Sequence, residues 1–391
     1  MTINFMKFVD EYVGKFLITI LALFPKKGNV RSDRNIRKIL LIKFWGIGSI
    51  TLSTPLLVQL KKLWPSAEIH YLTLESNAEL CSLIIEINYL HTVSLATAAT
   101  FIRTLMRVIL ALRKHRLDIV YDLEFFTNIS AIVSFLTGTQ RRIGFVNSHK
   151  KSDKRKLLYT ETMEFKGDIH VAKNFLCLAN PNAPIVFPEF RSPVAVNVLN
   201  PDSLSVILNI NAGPLAYERR WDMNEFEQLA GHLIMNHKAH IFIIGSREER
   251  GYVGCFASKL KNNNSVTNLS GKLTMAGLVQ LIRSSHLVIT NDSGPLHIAS
   301  AMNVPTISLF GPETPLRYGS LSNRHLTFYA GLWCSPCMTV SNLKTVNCIN
   351  HTQCMKQIRF TEIKSTVDEF VDSLRCSKGS QEIRSMVQMI I

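Results

Sequence analysis

Acidic residues are scarce in this 391-residue chain: 29 Asp and Glu against 44 Lys and Arg leave a formal net charge of +15. Such an imbalance favours a polyanionic partner, whether nucleic acid, an anionic membrane face or a phosphorylated substrate. Nothing along the chain resembles a recognition helix or an aromatic single-strand platform, which sets nucleic acid aside. Cysteine is also sparse, at 8 residues; this is too few for a disulfide scaffold at this length and fits a reducing compartment. The N-terminus lacks a membrane-spanning run, since its apolar stretch 16–24 falls well short of the ~20 residues a bilayer requires. No small-residue cleavage site is apparent, and Asp10 and Glu11 lie in the charged region, which argues against a cleaved signal peptide.

What the N-terminus does hold is amphipathic. Phe5, Phe8, Val9, Tyr12, Val13, Phe16, Leu17, Ile20, Leu21 and Phe24 share one helical face, opposite Lys7, Asp10, Glu11 and Lys15. Lys26, Lys27, Arg31, Arg34, Arg37 and Lys38 follow. Residues 1–35 therefore read as a helix and basic linker lying on a cytoplasmic membrane surface, with packing on the chain's own domain as the alternative. From residue 36 onward, apolar runs (KILLIKF, EIHYLTL, HTVSL, DIVYDLE, RRIGF) alternate with helical stretches. A Pro- and Asn-rich break covers 179–193, and the alternation restarts with SVILNINAG, HIFIIGS, LVITND and TISLFGP. This pattern predicts an α/β protein of two doubly wound, Rossmann-like domains, 36–180 and 201–375, joined by a linker at 181–200 and followed by a tail at 376–391. Ligands would lie in a central cleft, at the carboxyl ends of the strands.

The densest chemistry is in LVITNDSGPLHIASAMNVPTISLFGPETP, residues 287–315. An apolar strand delivers Asn291, Asp292, Ser293 and Gly294 to its carboxyl end, and a helix opens within a few residues. Free N–H groups there suit an anion, Gly294 lets a phosphate approach the main chain, and His297 on the first helical turn can donate to the same anion. A second candidate is KFWGIGS, residues 43–49, where Gly46 and Gly48 permit close backbone approach and Ser49 stands at the mouth.

The stretch 268–312 closely resembles the signature of the family 9 glycosyltransferases, the ADP-heptose lipopolysaccharide heptosyltransferases, and the resemblance runs over about residues 36–375. It implies the GT-B fold, with an N-terminal acceptor-binding domain and a C-terminal nucleotide-sugar-binding domain. KFWGIGS with Thr54 and Pro55 matches the family's first strand and glycine turn, and HVAKNFLCLA matches its interdomain helix. NINAGPLAYERRWDMNEFEQLA matches the donor loop, which contributes Gly213, Arg219 and Trp221; Arg219 stands where the family carries lysine. The diphosphate would meet Asp292, Ser293, Gly294 and His297 together with Arg219, while Gly245 and Glu248 in GSREE would sit on the nucleotide face. The implied reaction is inverting: an acceptor hydroxyl attacks the anomeric carbon as the nucleoside diphosphate leaves, and no metal is needed for catalysis. Relatives carry an aspartate, the usual candidate base, right after the second glycine, where this chain has Ser49. A serine is no base at neutral pH without help. The carboxylate then comes from VYDLEFF, as Glu124 or Asp122, with Ser49 positioning the acceptor. The alternative is that Asp122 caps the next helix and Glu124 is merely exposed.

Cys334 and Cys337 form C-x2-C, followed after ten residues by Cys348 and after five more by Cys354. Four thiolates on a short excursion (334–354) can hold one structural zinc or iron, with His351 as a stand-in ligand; disulfides and free thiols are the alternatives. A similar iron-holding finger in autotransporter heptosyltransferases supports metal.

The sequence thus points to transfer of heptose from ADP-heptose to a lipopolysaccharide-core or other lipid-linked acceptor, at the inner face of the inner membrane. Cations at 103–116 and 150–156 would meet acceptor or leaflet phosphates. A protein O-heptosyltransferase and a catalytically silent nucleotide- or glycan-binding relative are the rival readings.

Overall fold

The apolar runs become parallel strands because helices cover both faces of each sheet, so that successive residues are buried whichever way they point. In the computed structural model the described residues are 8–24, 36–125, 127–147, 153–191, 203–213, 216–260, 264–340, 342, 344, 346–375 and 386–389. The chain forms two compact units, Met1–Arg191 and Ser192–Ile391.

The first unit opens with a π-helical turn, Asp10–Gly14, running into α1 (Lys15–Leu21). There follow β1 (Lys38–Ile42), α2 (Ile47–Leu63), β2 (Glu68–Leu74), α3 (Ala78–Ser82), β3 (Tyr89–Val93), α4 (Ala98–His115), β4 (Ile119–Asp122), α5 (Asn128–Leu136), β5 (Arg141–Val146), β6 (Glu161–Glu164) and α6 (Val171–Cys177). The sheet order is β3-β2-β1-β4-β5-β6, all parallel, with Ile39 paired to Ile69 on one side and Ile119 on the other. β1 is thus the strand at which the winding direction reverses, and its carboxyl end is where such sheets bind ligands.

α2 starts at Ile47, earlier than the β-branched and Pro-containing segment suggests. Pro55 cannot donate to Thr51 O; the Thr54 hydroxyl donates to it instead, at 2.7 Å. Thr51 and Ser53 back-bond to Ile47 O and Ile50 O in the same way.

The N-terminal helix docks on α5. Asp10 accepts from the backbone N–H of Asn128 and Ile129 at 2.9 and 2.8 Å, a Cβ on Gly14 would lie 2.7 Å from Asn128 Cβ, and Ile18 is fully buried. Its opposite face is apolar and exposed: Phe8, Tyr12 and Phe16 are 60–64% accessible and Leu23 is 83% accessible. No described helix is long and apolar enough to cross a membrane. Phe5, Lys7, Lys26, Lys27, Arg31 and Arg34 lie outside the described residues. On α4, Leu105, Val108, Ile109 and Leu112 face the core, while Ile102, Met106 and Leu110 form an exposed stripe beside Arg103, Arg107, Arg113 and Lys114.

The second unit contains β7 (Leu204–Asn209), α7 (Met223–His237), β8 (Ala239–Ile243), α8 (Arg250–Lys259), β9 (Val266–Asn268), α9 (Met275–Ser284), β10 (Leu287–Asn291), α10 (Gly294–Ala301), β11 (Thr306–Phe310), α11 (Pro315–Tyr318), β12 (His325–Tyr329), α12 (Gln353–Lys356), α13 (Phe360–Arg375) and β13 (Met386–Met389). The parallel order β13-β12-β11-β10-β7-β8-β9 reverses at β7, with β10 and β8 beside it. Trp221, Phe226, Leu229 and Leu233 near or on α7 and Ile363, Val367 and Val371 on α13 share one core with the strands.

Candidate functional site

At the carboxyl ends of β7 and β10 the second unit gathers a polar nest. Asn209, the last residue of β7, donates from Nδ2 to Ser293 Oγ and to Thr290 Oγ1, both at 2.9 Å. Ser293 is the residue before α10, and Pro295 stands in that helix's first turn, where its missing N–H costs nothing. Asp292 is buried, with Oδ1 4.0 Å from His297 Nε2. Arg219 closes the nest. Its Nη1 donates to Asp292 O at 2.9 Å and lies 3.4 Å from Oδ2, while Nη2 donates to Ala212 O. Arg219, Asp292, Ser293, Gly294 and His297 thus belong to one cluster, built from segments some 70 residues apart.

The other donor-side candidates are placed differently. Trp221 is buried behind the loop: its N–H donates to Asn291 Oδ1 at 3.0 Å and its indole Nε1–H to Ile358 O at 2.5 Å, so it anchors the loop to the core. Gly213 has φ +70° with open space around it. Gly245 sits tightly, since a Cβ there would lie 2.9 Å from Asn211 Nδ2 and from Val253 Cγ2. Glu248 is exposed, and hydrogen bonds from its own backbone N–H and from Ser246 hold its carboxyl below the ordinary range.

The sequence reading missed three residues beside this nest. Glu313, after β11, is fully buried against Arg317 at 2.7 Å and Lys344 at 3.9 Å. Burial pushes its carboxyl up, the two cations pull it back, and the negative charge of Asp292 pushes it further up. GPETP shows Glu313 at a strand end, but Lys344 comes from a distant loop that no local pattern connects to it.

In the first unit, the β1–α2 turn carries Gly46 at φ +85°, a conformation that favours glycine, with Ser49 Oγ 3.5 Å from where its Cβ would be. Gly48 and Ser49 are half-buried in the first turn of α2. Glu124 reaches this turn from the end of β4: its Oε1 accepts from Phe44 N at 2.7 Å and Trp45 N at 3.0 Å, and pairs with buried Lys43 at 3.0 Å. Among the described residues, its second oxygen accepts from Thr127 Oγ1 at 3.4 Å. The structure therefore brings Glu124 and Ser49 to the same glycine turn. Asp122 is instead enclosed, accepting from Tyr159 OH at 2.6 Å and Glu124 N at 3.0 Å, and burial lifts its pKa to about 6. It does not cap α5, a role Asp10 fills. Of the cationic run at 150–156, Lys154 and Lys156 are exposed, but Arg155 is buried against Asp153 at 3.1 Å and donates to Phe145 O. Lys150 and Lys151 lie outside the described residues.

Cys334, Cys337, Cys348 and Cys354 are free thiols. They are electrostatic neighbours: burial pushes Cys354 up to about 11, with added contributions from Cys337, Cys348 and Cys334. Thr352 N donates to Cys348 Sγ at 3.1 Å, the kind of N–H···S bond that supports a metal-bound thiolate. The donor set suits zinc or iron, although the described geometry is open: within 4.8 Å, among the described residues, the one ligand group is His232, His237 and Asp368.

Two parallel doubly wound units, one with the Asp292–Gly294 turn at its switch point and one with a glycine turn backed by Glu124, have the two-domain α/β architecture of the GT-B fold. The chain belongs to glycosyltransferase family 9 (heptosyltransferase), whose family model matches residues 105–346. Lipooligosaccharide heptosyltransferase 2 of Campylobacter jejuni is 30% identical over 178 residues, which cover 44% of this chain and 55% of that protein. The chain thus matches about half the length of that curated relative. Among solved structures, Escherichia coli ADP-heptose lipopolysaccharide heptosyltransferase II superposes with a TM-score of 0.69 at 20% identity, covering 86% of this chain and 99% of that one. The iron-containing dodecameric glycosyltransferase TibC of enterotoxigenic Escherichia coli superposes at 0.54 with 11% identity, covering 87% and 78%.

Proposed function

We propose that this protein is an inverting heptosyltransferase that moves heptose from ADP-heptose onto a lipopolysaccharide-core or other lipid-linked acceptor at the inner face of the inner membrane. The observation that carries this reading is the cluster of Arg219 with Asp292, Ser293 and the start of α10. The relatives' printed activities, lipooligosaccharide and lipopolysaccharide heptosyl transfer with ADP-heptose, supply the substrate class.

Glu124 takes the acceptor hydroxyl proton on its less engaged oxygen, while Lys43 and two backbone N–H groups hold the other. Ser49 hydrogen-bonds the acceptor beside it. The acceptor oxygen bonds to the anomeric carbon from the face opposite the diphosphate, and the bond from that carbon to the diphosphate oxygen breaks. ADP leaves with the electron pair, and its negative charge is met by Arg219 and the N–H groups opening α10. His297 donates to the same phosphates. These groups suffice without a catalytic metal, so turnover persists in chelator. At the finger, Cys334, Cys337, Cys348 and Cys354 hold zinc or iron in a structural role, as the iron of TibC suggests by analogy.

The test is transfer of labelled heptose from ADP-heptose to a heptose-deficient lipopolysaccharide acceptor. Wild type transfers; Arg219→Ala lowers kcat/KM roughly a hundredfold. Transfer to a protein acceptor alone supports the O-heptosyltransferase reading that the finger favours. Absence of both transfer and donor hydrolysis leaves the silent relative that Ser49 favours.

A further inference from the structure

α7 ends in a histidine pair that heptosyl transfer does not use. His232 and His237 both turn Nε2 onto one oxygen, Oδ1 of Asp368 on α13, each at 2.6 Å. Both rings are also held from behind. Asn236 Nδ2 lies 2.6 Å from His232 Nδ1, and the Asp372 carboxylate, one turn beyond Asp368, lies 3.4 Å from His237 Nδ1. As placed, both rings direct Nε2 at the Asp368 carboxylate, and a divalent ion would take the place of the two Nε2 protons, with each neutral ring then carrying its proton on Nδ1. A ring fixed through Nδ1 by an outer acceptor is the usual support of a metal-binding histidine. His237 is buried, and its Nδ1 has no hydrogen bond of good geometry, so its placement is not explained by that contact alone.

We propose that His232 Nε2, His237 Nε2 and the Asp368 carboxylate form a binding site for a divalent transition ion of the zinc class, completed by water or Asp372. Two imidazoles and a carboxylate favour such an ion over magnesium or calcium, which prefer all-oxygen sites. At metal–ligand distances of about 2.0–2.1 Å the three ligand atoms separate to roughly 3 Å, an opening that the half-exposed Asp368 accommodates by a small side-chain rotation. Topology fixes the role. His237 ends α7 with only Lys238 between it and β8, so the site is at the amino edge of the sheet, and the 292–294 turn is at the carboxyl edge. The ion is therefore structural and staples α13 to α7. Phe360 N, at the start of α13, donates to Glu225 Oε2 in the first turn of α7 at 2.6 Å, so α13 is fastened to α7 at its start and at mid-length.

The experiment uses full-length protein stripped with chelator and titrated with cobalt(II), then with zinc, alongside His232→Ala, Asp368→Asn and a Cys334→Ser/Cys337→Ser variant. Stripped wild type and the cysteine variant are both expected to take up a histidine-site equivalent of cobalt, seen in the cysteine variant as visible d–d absorption without the thiolate charge-transfer band. Zinc should raise their Tm. His232→Ala and Asp368→Asn should lose that equivalent and that rise while keeping any thiolate-bound metal. His232 is partly accessible, so its variant folds, and circular dichroism checks this. Equal uptake by His232→Ala and wild type, or none by the cysteine variant, overturns the site and leaves a histidine–aspartate hydrogen-bond cluster. Both outcomes are independent of whether heptose is transferred.

Discussion

Asp122 and Glu124 stand two residues apart at the end of β4, yet their surroundings give them opposite roles. Glu124 is an ion-pair partner of Lys43, and removing one member of a buried pair costs about 3–5 kcal/mol because the other charge is left unpaired. Glu124→Gln is therefore expected to lower both Tm and activity, which confuses the two roles. Adding Lys43→Met removes the orphaned charge, so the double variant should recover most of the Tm while turnover stays down by about a hundredfold or more. Denaturation and ADP release measured on the same samples separate them, and full activity in the double variant would remove Glu124 as the base. Asp122, with a pKa lifted from 3.8 to about 6, favours the protonated form in the fold. Its contribution to stability is complete below its unfolded pKa and is lost as pH rises to about 6, a loss of about 3 kcal/mol at most. Asp122→Asn should flatten the Tm–pH profile across that window and leave Tm at pH 8 unchanged or higher. VYDLEFF offered both carboxylates as candidate bases but not how their surroundings differ. The strand end was visible, but Tyr159 and the Phe44 and Trp45 amides come from 35 or more residues away.

At the level of elements, the strands were legible because strands buried on both faces read as unbroken apolar runs, and KILLI and LVITN are buried almost throughout. Helix starts carry a local signal where a side chain caps them, as Thr97, Asp222 and Thr274 do. The start of α2 was not, because Gly46 offers no cap and hydroxyl back-bonding supports a segment of weak helical propensity. α5 is a third case. Thr127 provides no side-chain cap, and the cap arrives from Asp10, 118 residues away in sequence. Asp10→Ala strips two N–H groups of their acceptor and should lower unfolding free energy by about 1–2 kcal/mol in a denaturant titration. It should also loosen the N-terminal helix, seen as faster amide exchange over 10–21. A loss well below that range would mean that Gly14 and Ile18 alone hold the helix in place.

Across the whole molecule, most of the net charge, +11 of +15 over residues 1–191, falls on the unit whose helices expose the apolar faces of α1 and α4. α1 packs on α5, α5 and α4 share one apolar cluster, and both outer helices turn apolar residues to solvent. Cations line these faces: Lys154 donates to Thr19 on α1, and Arg103 and Arg107 flank the α4 stripe, which has no acidic residue anywhere in its helix. A face of this kind gains from inserting rings below the headgroups and about 1 kcal/mol per cation near an anionic leaflet. The amphipathic pattern was legible in the sequence; that one seam holds the helix to its own domain while the apolar face stays outward was not, since both uses of a helix need the same periodicity. The full chain is therefore expected to co-sediment with phosphatidylglycerol vesicles and poorly with phosphatidylcholine vesicles, and added salt should weaken the former. Phe16→Glu should cut binding at least tenfold without changing Tm, since Phe16 touches the fold little, whereas Arg103→Ala with Arg107→Ala should mainly reduce the salt dependence. If Phe16→Glu binds vesicles like wild type but shifts a dimer to monomer in sedimentation, the outward face is a contact between copies of the chain and the lipid reading fails.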